Sequence, residues 1–260
     1  MKNAVLITLF LVLVLVCYGL IIQDRTDDVL DERSDSTEAI GLRDNFNGGC
    51  LNLELWQITR KGDFKESTVD VYDVDSSEKV DYRLRLRMNT IGTRDDTVKF
   101  HGVRSVEKVD FSDEKEISFD LDWNNQSNGC YLTASIYLCP TVTNGNPGEE
   151  NEWLKFEYVG VPSGHNVRCV IANKIDGNVK YLYTEDWPEQ RTGRHIGYQR
   201  IKFIVDNKSL KIVENGKEIY NSHSHGLEFS SAYLYLQMSS HSNYPSREIY
   251  FDNVAITYRL

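Results

Sequence analysis

Strict alternation of apolar and charged side chains is the property that leaves this chain the fewest folds. Tyr82, Leu84, Leu86 and Met88 are separated by Arg83, Arg85 and Arg87, and Ile117, Phe119, Leu121 and Trp123 by Ser118, Asp120 and Asp122. A period of two sends each set to its own face of an extended strand, whereas a helix would scatter both sets around its axis. The pattern returns in YLTASIYL, WLKFEYV, RIKFIVD and AYLYLQM, with no convincing helix between them. Asn215-Gly216 sits between SLKIV and EIY as a two-residue hairpin turn, and Asp176-Gly177-Asn178 reads as a second one. Many antiparallel strands, each with one wet and one apolar face, bury their apolar faces by packing as two sheets. The expected class is therefore all-β, a two-sheet antiparallel sandwich.

One segment breaks the pattern. Ala4 to Ile22 carries no charge and is mostly apolar, and as a helix it spans a hydrocarbon core of about 30 Å. An N-terminal hydrophobic helix over residues 1–22 is expected, as a membrane anchor, or alternatively as a leader cleaved near Cys17-Tyr18-Gly19 and followed by secretion. Residues 23–41 (QDRTDDVLDERSDSTEAIG) are charged and lack aromatics, the composition of a flexible acidic tether. The sandwich then occupies 42–260, outside the cytoplasm under either reading.

Charge and cysteine usage agree with export. A formal net charge of −10 at pH 7 lacks the basic footprint of a nucleic-acid surface, so no nucleic-acid partner is expected. Beyond the apolar segment lie Cys50, Cys130, Cys139 and Cys169, an even set in a compartment that permits disulfides; two bridges or buried thiols both fit. No Cys/His spacing suits zinc. Asn125 and Asn207 head Asn-x-Ser sequons.

The opening DNFNGGCLNLELWQI, the central EISFDLDW, the segment RIKFIVDNKSLKIVENGKEIY and the closing REIYFDNVAITY, in that order, resemble the concanavalin A-like lectin and glucanase superfamily, in its laminarinase-like jelly-roll form. The resemblance runs from Leu42 to Leu260. It implies two curved sheets with a concave face open to glycans, in a superfamily holding lectins, glycoside hydrolases and adhesive modules.

Laminarinase-like members carry Glu-x-Asp-x-Glu on one strand, and retaining hydrolysis needs two carboxyl groups about 5–5.5 Å apart. The nearest counterpart is Glu116-Ile117-Ser118-Phe119-Asp120: Glu116 matches, Ser118 replaces the central Asp, and Asp120 is a methylene short of the second Glu. Asp120 with Asp122 is an alternative pair, about 6.6–7 Å apart along a strand. A solvated face, with Arg83, Arg85 and Arg87 pairing acids across strands, explains these residues without catalysis. The enzyme question is left open, leaning to a non-catalytic chain, with a glycoside hydrolase or lyase of this fold as the alternative and an adhesion or envelope-structural module as the second alternative.

The lectin-like reading rests on aromatics out of phase with the core. Trp153 lies beside Lys155 and Glu157, Tyr233 and Tyr235 beside Gln237, and Tyr137 beside Thr133 and Ser135. Flat rings with polar neighbours suit stacking against a sugar whose hydroxyls are hydrogen-bonded. Trp187, before Pro188 in a predicted loop, is a further contact or a lid, while Trp56 and Trp123 belong to the core. A polysaccharide or glycoconjugate is the expected partner. Both glycan readings gain if Glu116, Asp120, Trp153 and Tyr235 line one groove, and both weaken if these residues scatter over opposite faces. No cofactor is required; the resemblance implies a structural calcium ion where the first and last strands meet, on Asp252 with Asp44. His223, His225 and His241 are read as loop residues without a metal.

Overall fold

The computed structural model describes residues 39–74, 80–94, 98–123, 132–143, 145–160, 167–187, 198–240 and 244–258. The expected anchor, the cleavage site and nearly all of the tether lie outside them, as do Cys130, Asn125 and His241. Among the described residues no helix is long and apolar enough to cross a membrane.

Two eight-stranded antiparallel sheets pack face to face. Sheet A contains β1 (Ala39–Asp44), β3 (Glu66–Asp73), β4 (Tyr82–Asn89), β7 (Lys115–Asp122), β12 (Tyr198–Val205), β13 (Leu210–Glu214), β14 (Lys217–Ser222) and β16 (Arg247–Tyr258). Sheet B contains β2 (Trp56–Lys61), β5 (Lys99–Ser105), β6 (Val109–Asp110), β8 (Leu132–Cys139), β9 (Trp153–Gly160), β10 (Val167–Ile175), β11 (Asn178–Trp187) and β15 (Ser231–Ser240). Their orders are β14-β13-β12-β7-β16-β4-β3, with β1 also on β16, and β11-β10-β9-β8-β15-β5-β2, with β6 also on β15. Neighbours so distant in sequence are expected of a jelly roll, and β1 begins three residues before the expected start of the sandwich.

The alternation is realised as drawn. Leu84, Leu86, Ile117, Phe119 and Leu121 are at most 1 % exposed and meet Ile136, Leu154, Phe156, Leu234 and Leu236 of the other sheet in one core. Trp56 and Trp123 are buried there too. Both predicted hairpins form: Asp176 and Gly177 have φ of 48° and 79°, Asn215 and Gly216 of 50° and 78°. Two successive positive φ values define the turn whose twist matches antiparallel strands, and Asn, Asp and Gly tolerate them best. Cys139 and Cys169 are buried and Cys50 exposed, and none of the three is bridged to another. Cys139 thus takes the buried-thiol alternative, which the exposed Cys50 does not.

Candidate functional site

The outer face of sheet A collects the sequence's acids and arginines, and spends them on one another. Arg200 holds Asp120 bidentately, through Nε at 2.9 Å and Nη2 at 3.1 Å, and Asn253 Nδ2 donates to the same carboxylate at 2.9 Å. Lys202 Nζ lies 2.8 Å from Glu116. Arg85 donates to Asp70 at 2.9 and 2.6 Å, and Arg83 pairs with Asp81. The cross-strand pairing expected of a solvated face is therefore present, although Asp120 and Glu116 draw their partners from β12 rather than from the β4 arginines. Asp122 faces Tyr250 across the β7–β16 pair.

Asp252 stands opposite Asp120 at a register shift in β16, where Asn253 takes φ of 49°. Burial, together with the nearby charges of Asp81 and Asp120, pushes its carboxyl up to about 6. Asp44 stands opposite Val254, two residues along β16 from Asp252, and has both oxygens engaged, one by the Phe46 amide and one by Trp56 Nε1, each at 2.8 Å. Among the described residues, the one acidic group whose carboxylate oxygens lie within 4.8 Å of one another is Glu152, Asp176 and Glu228. His225 is buried, with Nε2 2.8 Å from the Asp206 carbonyl and Nδ1 accepting from the Leu227 amide, while His223 is exposed.

Sheet B's outer face carries the aromatics. Cross-strand registers set Gln57, Arg104, Tyr235, Tyr137 and Lys155 in one row and Thr59, Gly102, Gln237, Ser135 and Glu157 in the next. Tyr137, Trp153, Tyr233 and Tyr235 thus share a face, as the period of two implies. They do not share it with Glu116, Asp120 or Asp122, which lie on the far side of the sandwich. The four residues do not line a single groove, which weakens a glycan site built on Glu116 and Asp120 together with Trp153 and Tyr235.

Nor are the rings open to solvent. Trp153 is 2 % exposed, Tyr137 4 %, and Tyr235 and Gln237 0 %. The connection from β8 to β9, with a 3-10 turn at Pro147–Glu149, lies across them as a strap. Tyr235 Oη donates to the Thr141 carbonyl at 3.1 Å and accepts from the Thr143 amide at 3.2 Å. Trp153 Nε1 donates to the Gly148 carbonyl at 3.3 Å, and Gln237 Nε2 to the Gly145 carbonyl at 3.1 Å. Lys61 pairs with Glu149 at one margin, and Lys174 reaches the Gly148 carbonyl at the other. Gly145, at φ of 99°, runs so close to β2 that a Cβ would stand 2.7 Å from the Arg60 backbone. Tyr137 and Trp153 meet edge to face at 5.7 Å and join Cys139, Val170, Ala172 and Tyr235 in a second, smaller core. Burial and the Glu157 charge hold the Tyr137 phenol far above its usual range, and burial raises the Cys139 thiol.

The sequence expects a stacking surface; the structure makes it the floor beneath a strap, because side-chain phase tells which face a ring takes and not what covers that face. Tyr233 is the exception, half-buried under the Arg104 guanidinium at 4.5 Å. Trp187, expected in a loop, is the last residue of β11 and pairs with Val167.

Polar residues missed by the sequence reading lie beside the strap. A cavity of about 270 Å³ is lined by Gln57, Thr59, Arg60 and Arg104 from β2 and β5, with Ile58, and by Val142, Thr143 and Gly145 from the strap. Across the same face, Glu157 receives Lys155 Nζ at 2.7 Å and Ser135 Oγ at 3.3 Å. It is the one carboxylate that β8, β9 and β15 present there among the described residues. The signal for this site was faint: β5, KFHGVRS, is buried on both faces, so no alternation marks Arg104.

No protein-family model matches the sequence, and no curated protein does. Solved structures match over most of the chain. The globular domain of T. cruzi calreticulin is 14% identical over 84% of this chain and 88% of its own, with a TM-score of 0.56. A Bacillus subtilis protein with a galectin-like fold is 10% identical over 85% and 98%, at 0.54. The catalytic domain of an endo-1,3-beta-glucanase (laminarinase) from Thermotoga petrophila is 13% identical over 86% and 99%, at 0.52. The fold is the concanavalin A-like jelly roll.

Proposed function

We propose that this jelly roll is a carbohydrate-binding domain that holds a sugar in the cavity between the strap and the β2–β5 edge without hydrolysing it. The observation that carries the reading is the lining of that cavity: an amide, hydroxyls and a guanidinium from Gln57, Thr59, Thr143 and Arg104, next to the half-buried ring of Tyr233. Such groups match sugar hydroxyls on one side and a sugar face on the other. The likeness to a laminarinase domain makes glycans the first ligand class to test.

The non-catalytic half of the reading is supported by the carboxylates. Retaining hydrolysis uses one carboxylate as nucleophile and a second as acid and base. Glu157 has Lys155 against it and no second acid from β8, β9 or β15, and Glu116 and Asp120 are tied to cations behind the core. In this reading the apolar segment from Ala4 to Ile22 carries the domain out of the cell, as an anchor or as a cleaved leader, and no metal takes part in the binding step.

A polysaccharide panel tests the reading, with retention of the full chain and release of reducing ends followed together. Retention without release is expected. Release of reducing ends that Glu157→Gln abolishes would overturn it in favour of a hydrolase.

A further inference from the structure

Arg104 is set apart from Arg83, Arg85 and Arg200 of sheet A, although Arg87 of that sheet also donates to a neutral oxygen, Ser246 Oγ, at 2.6 Å. Arg83, Arg85 and Arg200 each answer an aspartate. Arg104 is 7 % exposed, and among the described residues no carboxylate pairs with it. It donates instead to neutral oxygens, the Ser105 carbonyl at 2.8 Å and Gln57 Oε1, while its guanidinium lies over Tyr233. A guanidinium does not shed its proton, so burial leaves a full charge without a counter-charge, a costly arrangement unless something else supplies one.

The cavity beside it fits that role. Two arginines line it and no aspartate or glutamate does, although acidic residues outnumber basic ones, 39 to 29, in the chain as a whole. Arg60 directs its guanidinium over Phe64, at 4.8 Å, which leaves Arg104 as the charge beside Gln57. Lys108 adds a second cation 5.4 Å from the Tyr233 ring. Of the five donors on a guanidinium, the two bonds to Ser105 and Gln57 occupy only part.

We propose, resting on the glycan reading above, that the sugar held here is anionic: a uronate whose carboxylate pairs with the Arg104 guanidinium while its ring lies near Tyr233 and its hydroxyls meet Gln57 and Thr143. A planar carboxylate accepts two parallel bonds from a guanidinium, a geometry a lysine does not reproduce. With a net charge of −10, the surface as a whole repels polyanions, so retention of one reports a local site rather than a diffuse attraction.

Calorimetric titration of the full chain with pectate, alginate and hyaluronan, each beside its carboxyl-reduced form, and with a sulfated neutral galactan decides the matter. Binding of at least one uronate polymer, weakened about tenfold or more by carboxyl reduction and by Arg104→Lys, is expected. Equal binding of the uronate and its reduced form would overturn the anionic assignment and leave the glycan reading intact. Preference for the sulfated galactan would overturn the uronate in favour of a sulfate ester. Binding of none of these, together with no retention across the neutral panel, would overturn both. Because carboxyl reduction changes only the ligand, the result stands even if Arg104 variants fold poorly.

Discussion

The two outer faces of this sandwich are built from the same local pattern and come to opposite ends. On sheet A the out-of-phase positions are charged and neutralise one another in rows, Arg85 with Asp70, Arg200 with Asp120, Lys202 with Glu116. On sheet B they are aromatic and amide-bearing, and the chain covers them with its own β8–β9 connection. The first face can stay in water; the second would expose a contiguous apolar patch, and such patches on soluble proteins are covered or used. Here the strap does the covering and leaves a polar-lined cavity with an unanswered arginine at its margin. What distinguishes the faces is therefore not which residues alternate but what lies above them.

The sharpest way to break this comparison is to remove a ring from the platform of sheet B. Trp153→Ala should lose about 3–5 kcal/mol in urea unfolding, the cost of emptying a core position, because Trp153 packs against Tyr137 and holds the strap through Gly148. A loss below about 1 kcal/mol would mean that the strap does not shelter the platform in solution.

A middle-sized effect belongs to sheet A. The carboxyl of Asp252 is raised from 3.8 to about 6 by burial and by Asp81 and Asp120. Between those values the folded chain keeps a proton that the unfolded chain has released. Stability from this group therefore falls as pH rises from 3.8 to 6 and stays at its lower level above that. Asp252→Asn should remove the slope and gain about 1 kcal/mol at pH 7 relative to pH 4, once solvent screening is allowed for. Parallel wild-type and variant curves across this range would contradict it.

The smallest effect is expected where catalysis was first sought. Glu116→Gln should change stability by less than about 0.5 kcal/mol, and that difference should shrink in high salt, as for other exposed ion pairs. A change of several kcal/mol would show that the ladder of sheet A is more than a solvated face.

Much of the fold was legible. Period two assigned Leu84, Leu86, Ile117 and Phe119 to the core, and Asn215-Gly216 and Asp176-Gly177 fixed two hairpins, because both signals act within a few residues. The site was legible only by phase. Trp153, Tyr137 and Tyr235 were placed on one face correctly, yet their burial depends on Thr141, Thr143, Gly145 and Gly148 of the β8–β9 connection lying over them. Whether Glu116 and Asp120 share a groove with Trp153 and Tyr235 was not legible, because which sheet a strand joins is decided by partners such as Arg200 and Tyr250, far away in sequence. Arg104 was invisible, since a strand buried on both faces has no alternation to read.

The central claim is that sheet B's strap-side cavity, and not the acid ladder of sheet A, meets the ligand. Retention on the best-bound polysaccharide, with reducing ends assayed in the same samples, compares Gln57→Ala with Asp120→Asn most directly. The account predicts retention without release in the wild type, a loss of about tenfold or more in Gln57→Ala, and no change in Asp120→Asn. Retention that survives Gln57→Ala but fails in Asp120→Asn, or release that disappears with it, would contradict the account.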